Sequence, residues 1–149
     1  MTDVQKFRVQ VLAWLKTIDG LDEYVQNDDL TWRIYYAWPH EVPTFPLITF
    51  VMSRTPVGDF ATHGWQGQLT VSLHAEDGDT LDEMERLLFE AIAMGYAPVD
   101  YLSDATYVNC HYWALISVGT DEATISPEDG AYVFLTRPLS YQFVISPKQ

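Results

Sequence analysis

The fold is decided by one stretch, Trp65 to Ile92, which reads WQGQLTVSLHAEDGDTLDEMERLLFEAI. From Trp65 to His74, apolar and polar side chains alternate; Leu69, Val71 and Leu73 are on one side, and Gln68, Thr70, Ser72 and His74 on the other. Alternation with a period of two predicts a β-strand with one buried face, and a second face that is wet or contacts a partner. The strand is followed by a turn, Glu76 to Asp79, and then by apolar residues spaced three or four apart: Leu81, Met84, Leu87, Leu88, Ala91 and Ile92. This spacing predicts a helix with one buried stripe.

The start of this helix carries an unusual density of negative charge. The acidic residues are Glu76, Asp77, Asp79, Asp82, Glu83 and Glu85. Carboxylates are stabilised near a helix N-terminus by the helix dipole, so we interpret the cluster as a solvated helix start. Thr80 and Glu83 have the spacing of a capping box, and Gly95 is predicted to end the helix. The Asp77 to Asp79 pattern does not continue as a calcium loop, because Leu81 stands where an oxygen ligand is needed.

The flanking sequence predicts further elements of both kinds. A helix from Thr2 to Ile18 has a capping box at Thr2 and Gln5 and a C-terminal Gly20. Predicted strands are Leu30 to Tyr36, Pro46 to Met52, Thr106 to Val118 and Ala131 to Ile145, with Pro138 at an edge or bulge. Long loops are predicted from Arg54 to Gly64 and from Gly119 to Gly130. The order predicts a single α+β domain over residues 1–149, with an antiparallel sheet and two main helices packed on one face.

Composition favours a folded, acidic protein. The chain has 149 residues, 48% of them hydrophobic, and a formal net charge of −13. Such a charge repels the phosphates of nucleic acids, so we expect no direct DNA or RNA binding. Cys110 is the only cysteine and cannot form an internal disulfide, which favours a reducing compartment. No targeting or membrane-spanning segment is expected from the sequence.

Signatures of catalysis are missing from the sequence. The four histidines, His40, His63, His74 and His111, lack the spacing of a zinc site. No phosphate-binding glycine loop, G-x-S-x-G or dinucleotide fingerprint occurs. We therefore expect no metal, no cofactor and no enzymatic activity, with Cys110 as a core thiol and His111 at the surface. Two alternatives stay open, an enzyme using His74 and Glu76 as acid and base, and a ligand-binding module with an aromatic cleft.

The order and pattern of these segments resemble the tail-terminator, or tail-completion, proteins of long-tailed bacteriophages. The segments that carry the resemblance are Val42 to Val51, Gly67 to His74, Thr80 to Ile92, Pro127 to Val133 and Leu139 to Ile145. Tyr96 to Asp129 is longer than the corresponding segment of that family. The resemblance implies a homo-oligomer, a hexameric ring that caps the finished tail tube, stops its growth and forms the head–tail joining surface.

The resemblance also implies partners, a location and candidate residues. The partners are the tail tube protein and a head-completion or connector protein, and DNA passes through the ring without specific binding. The location is the head-proximal end of the virion tail, after assembly in the host bacterial cytoplasm. Subunit-interface candidates are Arg54, Asp59, Phe60, His63, Trp65, Tyr141 and Phe143, and acidic candidates for the lumen or surface are Glu76, Asp77, Asp79, Asp82 and Glu83. The alternative within the same resemblance is another neck, connector or minor tail protein.

Overall fold

The computed structural model describes residues 2–40, 43–58, 64–93, 108–130 and 132–147. Three helices and six strands are formed by these residues. In chain order they are α1 (Asp3–Lys16), α2 (Asp22–Val25), β1 (Ile34–Tyr36), β2 (Leu47–Val57), β3 (Gly64–Ala75), α3 (Gly78–Ala93), β4 (Val108–Val118), β5 (Glu122–Ile125) and β6 (Tyr132–Pro147). The predicted α+β class is confirmed.

The strands form one mixed sheet in the order β1, β2, β3, β6, β4, and β5 also pairs with β6. The neighbours β2, β3, β6 and β4 are antiparallel, as is β5 to β6. The prediction of an antiparallel sheet needs one correction, because β1 lies parallel to β2. The chain between these two strands carries Pro39, Pro43 and Pro46, and it returns to the same end of the sheet before β2 begins.

Helix α1 begins with the predicted capping box. The Thr2 hydroxyl accepts a hydrogen bond from the Gln5 amide at 3.2 Å, and the Gln5 side chain accepts one from the Thr2 amide at 2.8 Å. The helix ends at Lys16, and Gly20 follows with a left-handed φ of 84°. The C-cap is Thr17, so the prediction that Gly20 caps the helix is wrong, although Gly20 does have the left-handed conformation.

Helix α3 starts earlier than predicted and with a different cap. The Thr80 amide donates to Asp77 Oδ1 at 2.7 Å, and the Thr80 hydroxyl donates to Oδ2 at 3.1 Å. These bonds hold the pKa of the Asp77 carboxyl below its usual range. The predicted capping box at Thr80 and Glu83 is therefore wrong, because Thr80 lies inside the helix and Asp77 is the capping side chain. Gly95 lies outside the described residues.

Strand β2 is longer than its sequence predicts. It pairs with β3 without a break from Leu47 opposite His74 to Val57 opposite Gly64. The loop predicted from Arg54 to Gly64 is thus wrong for Arg54 to Val57, and residues 59–63 lie outside the described chain. Exposed polar residues with a proline look like a turn in one dimension, but pairing with a neighbouring strand decides their conformation.

Two other boundaries differ from the predictions. Leu30 has a φ of 70° and is 71% exposed, so the strand predicted from Leu30 begins only at Ile34. The loop predicted from Gly119 to Gly130 contains β5, which forms a hairpin with β6.

Pro138 lies in an interior strand, which corrects the prediction of an edge or a bulge. It is opposite Ser72 of β3. Its carbonyl oxygen accepts from the Gly119 amide at 2.7 Å, so the side of Pro138 that lacks an N–H faces the short connection between β4 and β5. A Cβ added to Gly119 would lie 2.5 Å from Pro138 Cγ, so the close approach needs a glycine.

The main core lies between the helices and one face of the sheet. Phe7 and Trp14 of α1 pack on aromatic residues of β4 and β6 at ring-centroid distances of 4.7 to 6.1 Å. Val108 is tied to α1 by Gln10, whose side chain accepts from the Val108 amide at 3.0 Å. This face of the sheet therefore holds the main core, and most of the opposite face is left for other roles.

Candidate assembly surface

The sheet face opposite the helices is polar and uncharged over most of its width. The register places the following residues in cross-strand rows: Val51 with Thr70, Ser140 and Ser117; Ser53 with Gln68, Gln142 and Ala114; Thr55 with Gln66, Val144 and Tyr112. Side chains directly opposite one another share a face of a sheet. None of these twelve described residues is acidic or basic, although the chain as a whole carries 29 such residues in 149, 21 acidic and 8 basic.

An open groove of about 420 Å³ runs over this surface. Its lining includes Ser53, Thr55, Gln66, Gln68 and Gln142. We call the twelve residues the uncharged face. Its amides and hydroxyls can donate and accept hydrogen bonds without any long-range electrostatic preference.

The second half of β2, which borders the uncharged face, is not covered by the core. Leu47 to Phe50 of β2 are buried, whereas Val51 to Val57 are exposed or partly exposed. Gly67 of β3 permits the close approach of the two strands here, because a Cβ on it would lie 2.0 Å from the Ser53 carbonyl oxygen. The β2–β3 hairpin is therefore a tightly paired extension of the sheet.

Arg54 and Trp65, both predicted interface residues, come together on this hairpin. The Arg54 guanidinium carbon lies 4.9 Å from the centroid of the Trp65 ring, which is a cation–π contact. The other predicted residues of this region, Asp59, Phe60 and His63, lie outside the described residues.

Tyr141 and Phe143, also predicted at the subunit interface, are in the core instead. Their side chains are 0% and 1% exposed. Phe143 packs 4.7 Å from Phe7, and Tyr141 packs 5.1 Å from Trp113. Because these side chains are buried in the protomer's own core, the prediction that they lie at a subunit interface is wrong. Burial also raises the pKa of the Tyr141 hydroxyl.

The predicted acidic residues lie together at the start of α3. Glu76, Asp77, Asp79, Asp82 and Glu83 are all exposed. Asp82 forms an ion pair with Arg137 at 2.7 Å, and Glu83 forms one with Arg86 at 2.8 Å. The cluster is an acidic surface that is partly balanced by two arginines.

Arg137 is a structural residue that sequence reasoning missed. Its side chain is 12% exposed and contacts Asp82 and Glu85 of α3, and its Nε donates to Asp121 at 2.6 Å. The guanidinium keeps the pKa of Asp121 below its usual value. Since two of these acids are more than fifty residues away in sequence, no local pattern could have revealed the cluster.

His74 forms a small buried polar cluster on the same side of the sheet as the uncharged face. Its Nε2 lies 2.8 Å from the Thr49 hydroxyl and its Nδ1 lies 2.8 Å from the Thr136 hydroxyl. The rings of Trp38 and Phe134 cover it, at 5.1 and 5.9 Å. Burial lowers the pKa of His74 to about 4, so the imidazole is neutral at pH 7.

These contacts can be compared with the alternative in which His74 and Glu76 act as the acid and base of an enzyme. Both ring nitrogens of His74 are hydrogen-bonded within the protein, and Glu76 is exposed at the strand end. The geometry gives His74 a packing role between β2, β3 and β6.

The remaining candidate groups have ordinary surroundings. Cys110 is buried, which raises its pKa to about 11 and keeps the thiol protonated. His111 is exposed and its Nε2 lies 2.6 Å from the Ser146 hydroxyl. These positions agree with the predicted core thiol and surface imidazole. Within the described residues there is no group of three potential metal ligands, and no described helix is long and apolar enough to cross a membrane.

Comparison with known proteins supplies evidence at the level of the fold. No protein family and no curated protein matches the sequence. Among solved structures, the chain is similar to one from the virion of a native gene transfer agent (GTA) particle, with a TM-score of 0.52 and 12% sequence identity. The alignment covers 91% of this chain and 91% of that chain, so the likeness extends over nearly the whole fold.

Proposed function

We propose that this chain is a structural subunit of a phage-like particle, and that it acts as a tail terminator: a ring that caps the tail tube, stops its growth and forms the surface for joining the head. The observation that carries the proposal is the whole-chain similarity to a subunit of a gene transfer agent virion. The segment order that resembles tail-terminator proteins supports the same assignment independently. In this role the protein carries out no reaction and needs no cofactor.

The surface properties support a role in assembly. The uncharged face carries an open groove lined by hydrogen-bonding side chains, and the β2–β3 hairpin extends beyond the buried part of the sheet. A chain with a net charge of −13 repels DNA, as a ring through which DNA must pass without binding would need to do. The exposed acids at the start of α3, from Glu76 to Glu83, are the main contributors that we propose for this effect.

Two measurements test the ring. Light scattering on a sizing column gives the mass of the assembly, and negative-stain microscopy shows its shape, each over a range of protein concentrations. We expect a closed ring, alone or after addition of purified tail tubes. A monomer at every concentration, with no rings even beside tail tubes, contradicts the proposal.

A binding comparison tests the position in the particle. The purified protein is incubated separately with tail tubes that lack their terminator and with filled heads. We expect binding to the end of the tubes and a limit on their length. Binding to heads alone contradicts the terminator assignment and indicates another neck or connector protein.

A further inference from the structure

In the part of the chain that the structure describes, the sheet has two open edges. The cross-strand rows of the uncharged face run from one of these edges to the other. On one side, β1 pairs only with Ile48 to Phe50 of β2, which leaves the rest of β2 without an outer neighbour. On the other side, β4 pairs with β6 and ends the sheet. Open edges carry unpaired N–H and C=O groups that can add another strand.

The backbone of β2 shows which groups point outward. Ile48 donates to the Arg33 carbonyl at 2.9 Å, and Phe50 accepts from the Ala37 amide at 3.0 Å, both away from β3. Because a strand alternates its direction of hydrogen bonding, Met52 and Arg54 point their N–H and C=O groups outward too. Pro56 is the next residue in this series, and it has no N–H to offer.

The outer strand on the other side combines an open edge with exposed apolar side chains. Tyr112, Ile116 and Val118 of β4 are 48%, 43% and 40% exposed. Isolated exposed apolar residues are common, but three on one edge strand favour a contact that covers them.

Strand directions make the two edges complementary. Each neighbouring pair among β2, β3, β6 and β4 is antiparallel, so β2 and β4 run in opposite directions. A second copy that is moved sideways within the sheet, without being turned over, brings its β2 antiparallel to the first copy's β4. Such a contact is head-to-tail, and it closes into a ring when each step includes a suitable rotation.

Charge favours the same contact. Copies that each carry −13 repel one another, and the repulsion is smallest where the facing surfaces have no charge. The rows that end at these edges belong to the uncharged face. The Arg54 side chain adds no charge to this face, because consecutive residues of a strand point to opposite faces and its guanidinium lies over the Trp65 ring on the helix-bearing side.

We propose that the β2 edge around Met52 to Arg54 pairs with the β4 edge of the next copy, so that one continuous antiparallel sheet runs around the ring. This inference rests on the proposed ring and names the residues that join its subunits. Each copy then adds four strands, or about 19 Å of sheet, to the circumference. Pro56 limits the pairing to the part of β2 that precedes it.

Disulfide trapping tests the pairing directly. In a Cys110→Ala background, Ser53→Cys on β2 is combined in turn with Tyr112→Cys, Ala114→Cys or Ser117→Cys on β4. Opposite Cα atoms of antiparallel strands are about 4.5 to 5.5 Å apart, which a disulfide can span. The strand register between neighbouring copies decides which of these residues lies opposite Ser53. On mild oxidation, at least one pair is expected to give a series of disulfide-linked oligomers up to the number of subunits in the ring.

A control cysteine pair, together with microscopy of the rings, distinguishes failure of the edge pairing from failure of the ring itself. Lys16→Cys with Ser117→Cys, in the same background, measures chance collisions because Lys16 is exposed on α1. If rings form by microscopy but no β2–β4 pair exceeds this control, or if every disulfide-linked series stops at the dimer, the edge pairing is refuted and the ring stands. If no rings form at all, the proposed function fails together with the pairing.

A backbone variant gives a second test that does not depend on cysteines. Arg54→Pro removes an outward N–H while leaving the bonds to β3, and Arg54→Ala removes the same side chain but keeps the N–H. We expect Arg54→Pro to require about tenfold more protein for ring formation than Arg54→Ala, with both monomers folded by circular dichroism. Equal ring formation by the two folded variants contradicts pairing through this residue.

Discussion

Protonation of His74 is expected to destabilise the folded protein in mildly acidic solution. The imidazole is 5% exposed, its two nitrogens contact the hydroxyls of Thr49 and Thr136, and aromatic rings cover it. A positive charge in this site would lose its hydration without gaining a carboxylate among the contacts that the structure describes. Folding therefore favours the neutral form of His74.

The size of the effect follows from the two pKa values. Burial lowers the pKa of His74 from 6.5 to about 4. Between these values the unfolded chain binds a proton that the folded chain does not, so stability is complete above pH 6.5 and is lost as the pH falls toward 4. The difference corresponds to a loss of about 2 kcal/mol between pH 7 and pH 5, and to about 3 kcal/mol by pH 4.

Urea denaturation at pH 7 and at pH 5 measures this loss when the wild type is compared with His74→Gln. Glutamine can bond to both threonine hydroxyls and does not titrate in this range. The carboxylates titrate in both proteins and cancel in the comparison. The free energy of unfolding should fall by about 2 kcal/mol more in the wild type than in the variant. Equal losses in the two proteins would refute the reasoning, because they would show that His74 is protonated equally in both states.

Two further predictions concern packing and charge. Gly119→Ala should lower the stability by about 1 to 3 kcal/mol, because its methyl group would collide with Pro138; Gly78→Ala, with nothing within 4 Å of the added Cβ, should leave the melting temperature nearly unchanged. Arg137→Leu should cost about 2 kcal/mol, because three carboxylates lose a mostly buried partner, whereas Arg86→Ala, at a half-exposed pair, should have no measurable effect. Thermal and urea unfolding measure both, and equal effects within either pair would contradict the prediction.

The sequence predicts best those elements whose pattern is local. The alternation from Leu69 to Leu73 and the helical stripe after it are read from neighbouring residues, and both elements are confirmed. The cap of α1 is equally local and is confirmed at Thr2. In these segments the pattern of burial and the intrinsic preferences of the residues agree.

The elements that the sequence missed depend on distant partners. Arg54 to Val57 contain residues typical of turns, and only the neighbouring β3 makes them a strand. Among the described strands, β5 pairs only with β6. All four of its residues are exposed, so it lacks a buried apolar face that a sequence pattern could reveal. The parallel placement of β1 follows from the path of the chain between β1 and β2, which no periodicity records.

The candidate site was predicted in part. Arg54 and Trp65 are placed side by side, but Tyr141 and Phe143 are core residues, as their alternation in an apolar strand would itself suggest. The uncharged face could not be recognised in one dimension. Its residues come from four strands that are far apart in sequence, and only the register shows that they form one surface without charge.

Strand β6 has a consequence for the time at which the protein can fold. It pairs with β3, β4 and β5, so three of the other five strands have it as a neighbour. During synthesis the ribosome releases residues 132–147 after every other described element, and until then β3 and β4 have no strand between them. The sheet therefore cannot be completed before β6 is available to pair with β3 and β4. Long-range pairing of this kind slows folding. In the cell, the interval before β6 emerges is when the unpaired edges of β3 and β4 are most vulnerable to pairing with the wrong chain.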